Sequence, residues 1–192
     1  MHGHRADAEL TARVGETVVA PLLAGMAERG TPYRGVLYCG LMLTDEGPQV
    51  LEFNCRFGDP ETQVILPRLR SCLVTLLEAS AVGSLAGVEL DWDERASLCV
   101  VLAAAGYPGS PRKGDPIHGL DDLDDDVLVD HAGTRFEDGQ LLTAGGRVLA
   151  LGARGDDVSS ARQRAYEAVA GVRFEGVQYR TDIGAGAAEE ER

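Results

Sequence analysis

The sequence predicts an α+β chain, with helices and a hairpin in its first half and short strands closed by one helix in its second. Three observations carry this. Leu10, Val14, Val18 and Leu22 recur at helical spacing near the N-terminus. Two apolar runs flank the turn-forming residues Asp45-Glu46-Gly47-Pro48. Beyond Asp93, short apolar runs alternate with Gly and Asp turns until a helical pattern returns after Asp157.

Residues 6–29 read as helical. Pro21 lacks an N–H and its ring crowds the preceding turn, so a kink or a second helix is expected there, and Gly30 closes the segment. Residues 36–44 and 49–55 are predicted strands, paired as an antiparallel hairpin. Helices follow at 60–70, with Pro67 placed to break the first, and at 71–81, where Leu73, Leu76 and Leu77 form the apolar face. Residues 83–93 read as a linker between a unit at 1–82 and a β-rich unit at 94–184. The latter has strands at 96–104, 127–133, 134–136, 140–143 and 147–153. Asp157 or Ser159 caps a helix running to Ala170. Residues 185–192 read as a disordered tail.

Composition narrows the function. The net charge of −13 argues against nucleic acid or an anionic membrane as partner. No apolar run approaches the 18 or so residues of a transmembrane helix, and no apolar leader follows Met1. Cys39, Cys55, Cys72 and Cys99 form no CxxC pair and read as free buried thiols of a cytoplasmic protein. Lys113 is the only lysine. Neither a GxxxxGK[ST] loop nor a GxGxxG after a strand is present, so the common phosphate-gripping loops are missing from these residues.

The richest stretch is Leu51-Glu-Phe-Asn-Cys-Arg-Phe-Gly-Asp-Pro-Glu-Thr-Gln63. On a strand, Glu52 and Asn54 point to one face. A carboxylate and an amide oxygen side by side suit a hard cation such as Mg²⁺ that also touches phosphate. Arg56 continues that face as an anion-binding group. Asp59 and Pro60 read as N-cap and first residue of the following helix, with Glu61 in its first turn. Asp59 and Glu61 are either helix-start carboxylates or contacts for a substrate amino group. His118 and His131 read as structural, and residues 121–126 as a solvated acidic turn.

The 51–63 block resembles the phosphoribosylamine–glycine ligase family, also called glycinamide ribonucleotide synthetases. So does Gly35-Val-Leu-Tyr-Cys-Gly-Leu-Met-Leu-Thr44 before it. Further matches follow in order: Gly106-Tyr-Pro-Gly109, Gly114-Asp-Pro-Ile-His-Gly119, His131-Ala-Gly-Thr134, Gly145-Gly-Arg-Val148 and Arg180-Thr-Asp-Ile-Gly184. The resemblance implies the C-terminal part of an ATP-grasp domain followed by a small β-rich C-terminal domain. It implies a purine-biosynthesis ligase that joins glycine to 5-phosphoribosylamine, with ATP as co-substrate and Mg²⁺ or Mn²⁺ bound by Glu52 and Asn54. On physical grounds, Arg56 would stabilise phosphoryl or acyl-phosphate oxygens, and Asp59 and Glu61 would meet a substrate amine. A full family member is about twice this long. The chain alone is therefore expected to be inactive, with a separately encoded N-terminal half as a candidate partner and a non-catalytic interaction module as the alternative. Many ATP-grasp enzymes carry a further metal carboxylate about a dozen residues before Glu52, where this chain has Tyr38-Cys39-Gly40.

Overall fold

The structure is a computed structural model that describes residues 8–190. Its chain divides into two compact units. One joins residues 8–59 to Leu69–Trp92, and the other joins Pro60–Arg68 to residues 93–190. The division therefore does not follow a single cut at 83–93, because Pro60–Arg68 packs with the second half.

In the first unit, α1 (Ala8–Val14) and α2 (Ala20–Glu28) are joined by a π-helical turn, Gly15–Val19. Ala6 and Asp7 of the expected helix lie outside the described residues. The irregularity expected at Pro21 takes the form of this wider turn. Pro21 has no N–H to offer the carbonyl four residues back, and the Ala20 N–H reaches the Gly15 carbonyl, five back. The hairpin consists of β1 (Tyr38–Thr44) and β2 (Gly47–Asn54), antiparallel, with a bulge between Gly40 and Leu41. β2 starts earlier than predicted because Gly47, at φ 109°, makes the turn and pairs with Thr44.

The helix predicted at 60–70 is shorter. A turn at 59–61 precedes α3 (Thr62–Ile65), and a 3₁₀ turn, Leu66–Arg68, follows it. Asp59 is therefore not the N-cap; Glu61 occupies that position, without a side-chain cap bond. Pro67 prevents an α-helical continuation. In the first unit again, α4 (Leu73–Val82) ends on Gly83, left-handed at φ 75°. The segment after it is pinned rather than loose: the Arg70 amide donates to the Asp91 carbonyl at 2.9 Å, the Asp91 amide donates to Ser71 Oγ at 2.7 Å, and Leu69 bridges Trp92.

The second unit is built on β3 (Ala96–Ala103), β4 (Leu128–His131) and β7 (Arg147–Gly155), antiparallel in the order β3-β7-β4. A separate hairpin pairs β5 (Thr134–Glu137) with β6 (Gln140–Thr143). β7 is central, so Val148–Ala153 reads as one apolar run and is buried along its length. α5 (Val158–Gly171) lies on the sheet through small residues, Ala161, Ala165 and Ala168, which let the helix approach closely. Of the two predicted caps, Asp157 is the one used. It accepts the Ser160 amide at 2.6 Å, and the Ser160 hydroxyl accepts the Asp157 amide at 3.1 Å. Where a disordered tail was expected, Ala185–Glu190 forms α6, which packs against α5. Glu191 and Arg192 lie outside the described residues.

The cysteines depart from expectation. Cys99 is buried and Cys39 half-buried, but Cys55 and Cys72 are exposed; all four are free thiols. Burial raises the Cys39 thiol above its ordinary pKa. No helix among the described residues is long and apolar enough to cross a membrane.

Candidate functional site

Glu52 and Asn54 share one face of β2, as the strand pleat requires. Their side chains meet there, with Asn54 Nδ2 donating to Glu52 Oε1 at 3.3 Å. Opposite them on β1 stand Gly40 and Tyr38: Gly40 pairs with Glu52, and Tyr38 with Asn54. Gly40 leaves room for the carboxylate. A Cβ built on it would lie 3.0 Å from Glu52 Cγ, inside ordinary contact distance. Glu52 is exposed, so its carboxylate is open to a ligand.

This pair fits a hard cation. Neighbouring ligands in an octahedral Mg²⁺ shell stand about 3 Å apart, close to the Glu52–Asn54 separation. Turning the Asn54 amide presents its oxygen in place of its nitrogen. The pair is only part of a shell. Among the described residues, no three His, Cys, Asp or Glu side chains gather where they would hold a metal. Phosphate oxygens and water would have to complete it.

The strand does not carry Arg56 onto the same face. β2 ends at Asn54, residues 55–56 form a bend, and Arg56 Nη1 donates to the Phe57 carbonyl at 2.8 Å. Its guanidinium remains exposed and has donors to spare for an anion. Asp59, also exposed, ends the first stretch of the first unit, while the half-buried Glu61 lies in the Pro60–Arg68 segment that belongs to the second.

Two details of the second unit were not legible from the sequence. His118 and His131, thirteen residues apart, line one open cavity of about 630 Å³ together with Asp121, Phe136 and Gln140. His131 Nδ1 lies 3.0 Å from Thr134 Oγ1. The acidic run 121–126 is not wholly solvated, because Asp126 pairs with Arg164, whose hydrogen bond holds the Asp126 carboxyl below the usual range. Arg112 is engaged by Asp115 at 2.7 Å.

Comparison with known proteins decides the family. Residues 4–62 match the phosphoribosylglycinamide synthetase ATP-grasp (A) domain, and residues 97–186 match the C domain of the same synthetase. The chain belongs to the phosphoribosylglycinamide synthetase family. Among curated relatives, the phosphoribosylamine–glycine ligase of Streptomyces coelicolor is 50% identical over 188 residues, 95% of this chain and 45% of that protein. The same enzyme of Pseudomonas aeruginosa is 51% identical over 189 residues, 96% of this chain and 44% of that protein. The chain thus spans less than half the length of these relatives.

The crystal structure of the Thermotoga maritima phosphoribosylamine–glycine ligase aligns with a TM-score of 0.79 at 39% identity, over 94% of this chain and 44% of that one. The biotin carboxylase domain of a thermophilic 2-oxoglutarate carboxylase aligns with a TM-score of 0.61 at 14% identity, over 94% of this chain and 42% of that one, a likeness of fold alone. Synthetase membership agrees with the α+β architecture and with an ATP-grasp relationship for the first unit.

Proposed function

We propose that this synthetase chain supplies the metal-binding strand and the C-terminal domain of an ATP-dependent ligase. The reaction joins glycine to 5-phosphoribosylamine in the cytoplasm, as a step of purine biosynthesis. ATP phosphorylates the glycine carboxylate, the amine of phosphoribosylamine attacks the resulting acyl phosphate, and ADP and phosphate leave. The observation that carries this reading is the convergence of Glu52 and Asn54 on one face of β2, opposite a glycine that makes room for them. Glu52 and Asn54 would hold Mg²⁺ or Mn²⁺, which supplies neutralisation of phosphate charge. Arg56 turns from the Phe57 carbonyl to the phosphoryl oxygens. Asp59 and Glu61 present carboxylates to the substrate amines.

Nucleotide grip needs groups beyond these residues. A single lysine and no phosphate loop are present. The reading therefore predicts that the purified chain releases no ADP with ATP, glycine and phosphoribosylamine, and gains turnover when the N-terminal portion of a relative is added. Turnover by the chain alone would overthrow the dependence. A mixture that stays inactive although the two pieces bind each other would remove the catalytic reading.

One observation favours a second reading, that of a non-catalytic interaction module. The hairpin exposes Met42, Leu43, Val50, Leu51 and Phe53, of which Leu51 is 55% exposed. Under that reading the chain binds a partner through this hairpin without binding Mn²⁺ or nucleotide.

A further inference from the structure

α3 is too short to hold itself in place. An isolated helix of one turn is unstable in water, and its N-cap, Glu61, makes no side-chain cap bond. Its position must come from ties to the rest of its unit. At the front, Cys99 Sγ on β3 lies 3.8 Å from the Pro60 carbonyl. At the back, three groups converge. The Asp93 amide donates to the Arg68 carbonyl at 2.7 Å, and Arg68 Nε and Nη2 donate back to the Asp93 carbonyl, both at 3.2 Å. Arg154, on β7, uses a single nitrogen, Nη1, to reach the Pro67 carbonyl at 3.3 Å and Asp93 Oδ2 at 3.3 Å.

Asp93 is the hub of this arrangement. It is 4% exposed, and its carboxylate also takes Arg95 at 2.6 Å. A buried carboxylate needs such partners, and removing Arg154 takes one of them away. Arg154 is the only one of these groups that links the hub to the α3 segment from the central strand.

We propose that Arg154 is a positioning residue: through Pro67 and Asp93 it fixes the Pro60–Arg68 segment, and so sets where the Glu61 carboxylate meets a substrate ammonium. The proposal rests on the reading of Glu61 given under Proposed function. It goes beyond that reading by assigning the placement of Glu61 to the C-terminal sheet, not to the hairpin that carries Glu52 and Asn54. Arg154 itself touches no substrate.

The test uses the whole chain, isotopically labelled, with glycine as the probe. Amide exchange and glycine-induced shifts are followed at residues 62–66, with 149–151 of β7 as the internal control. In Arg154→Met, exchange at 62–66 is expected to rise at least tenfold while 149–151 keep their protection, and the glycine response at 62–66 is lost. In Arg154→Lys, whose single nitrogen can replace Nη1, both are restored. Unchanged exchange at 62–66 in Arg154→Met overturns the positioning claim. So does an equal rise at 149–151, which marks a merely structural residue. If the unaltered chain shows no glycine response while Arg154→Met frees only 62–66, the reading of Glu61 fails, and the functional half of this proposal fails with it.

Discussion

Gly40→Ala offers the sharpest test of the metal site, because it separates binding from stability. The added Cβ would stand 3.0 Å from Glu52 Cγ, 3.5 Å from the Glu52 carbonyl and 3.7 Å from Tyr38 Cε1. Carbon atoms rest about 3.5–4.0 Å apart, so Glu52 Cγ must retreat by roughly 0.5 Å. Glu52 is exposed and free to turn, so the fold tolerates this. Gly40 has no left-handed backbone that would strain an alanine. Replacing glycine also stiffens the unfolded chain, which stabilises by about 0.4–1 kcal/mol.

A metal pair is less forgiving. Ligand distances hold within about 0.2 Å, and disturbing the support of a ligand typically weakens binding by about 10-fold to 100-fold. The expected outcome is Mn²⁺ affinity lowered about tenfold, near 1.4 kcal/mol, with thermal stability unchanged or raised. Paramagnetic resonance of free Mn²⁺ reads the first quantity, with and without ADP, and thermal unfolding reads the second. Equal Mn²⁺ affinity in the variant and the parent would refute the reasoning. If the parent binds no Mn²⁺ under either condition, the assignment of Glu52 and Asn54 as ligands falls as well.

Other expectations follow from the packing and the charges. Leu151→Ala, at a fully buried position of β7, should destabilise the second unit by about 2–5 kcal/mol, read as a lower urea midpoint; a change below that range would mean the core collapses around the gap. Asp157→Ala removes the side-chain acceptor of the Ser160 amide and leaves the Asp157 amide still able to donate to the Ser160 hydroxyl, so amide exchange should quicken in the first turn of α5 and stay slow near Ala168. Arg180 holds the Asp182 carboxyl down to about 2 by hydrogen bonding, against an unfolded value near 3.9. A depressed carboxylate stabilises above its unfolded pKa and loses that contribution as pH falls through its folded one. The stability difference between the parent and Asp182→Asn should therefore be full above about pH 4 and fade towards pH 2; a difference that persists at lower pH would contradict the pairing.

Local physics made much of this fold legible. Alternation along 49–55 placed Glu52 and Asn54 together, because a strand's pleat has a fixed period and needs no tertiary information. The Asp157 cap was readable for the same reason, since its partner Ser160 is three residues away. What failed depended on distant contacts. The strand stops at Asn54, so the pleat does not place Arg56. The helix expected after Pro60 shrinks to one turn, held by Asp93 and Arg154, and no spacing rule connects those residues to Pro67. Gly40 opposite Glu52 follows from the hairpin register, which a bulge shifts and which the sequence leaves open by a residue or two. The predicted tail became α6 because α5 offers it a packing surface, something composition alone does not report.

The membership of Pro60–Arg68 in the second unit has a consequence for the order in which the molecule is made. This segment leaves the ribosome well before β3 and long before β7, which carry its anchors Cys99 and Arg154. It must wait, unanchored, while residues 69–92 emerge and join the other unit. The chain that follows the candidate metal strand is thus made before its anchors and settles only after them. A ribosome paused between Trp92 and Arg154 would display the Glu52–Asn54 strand with the residues after it still unfixed.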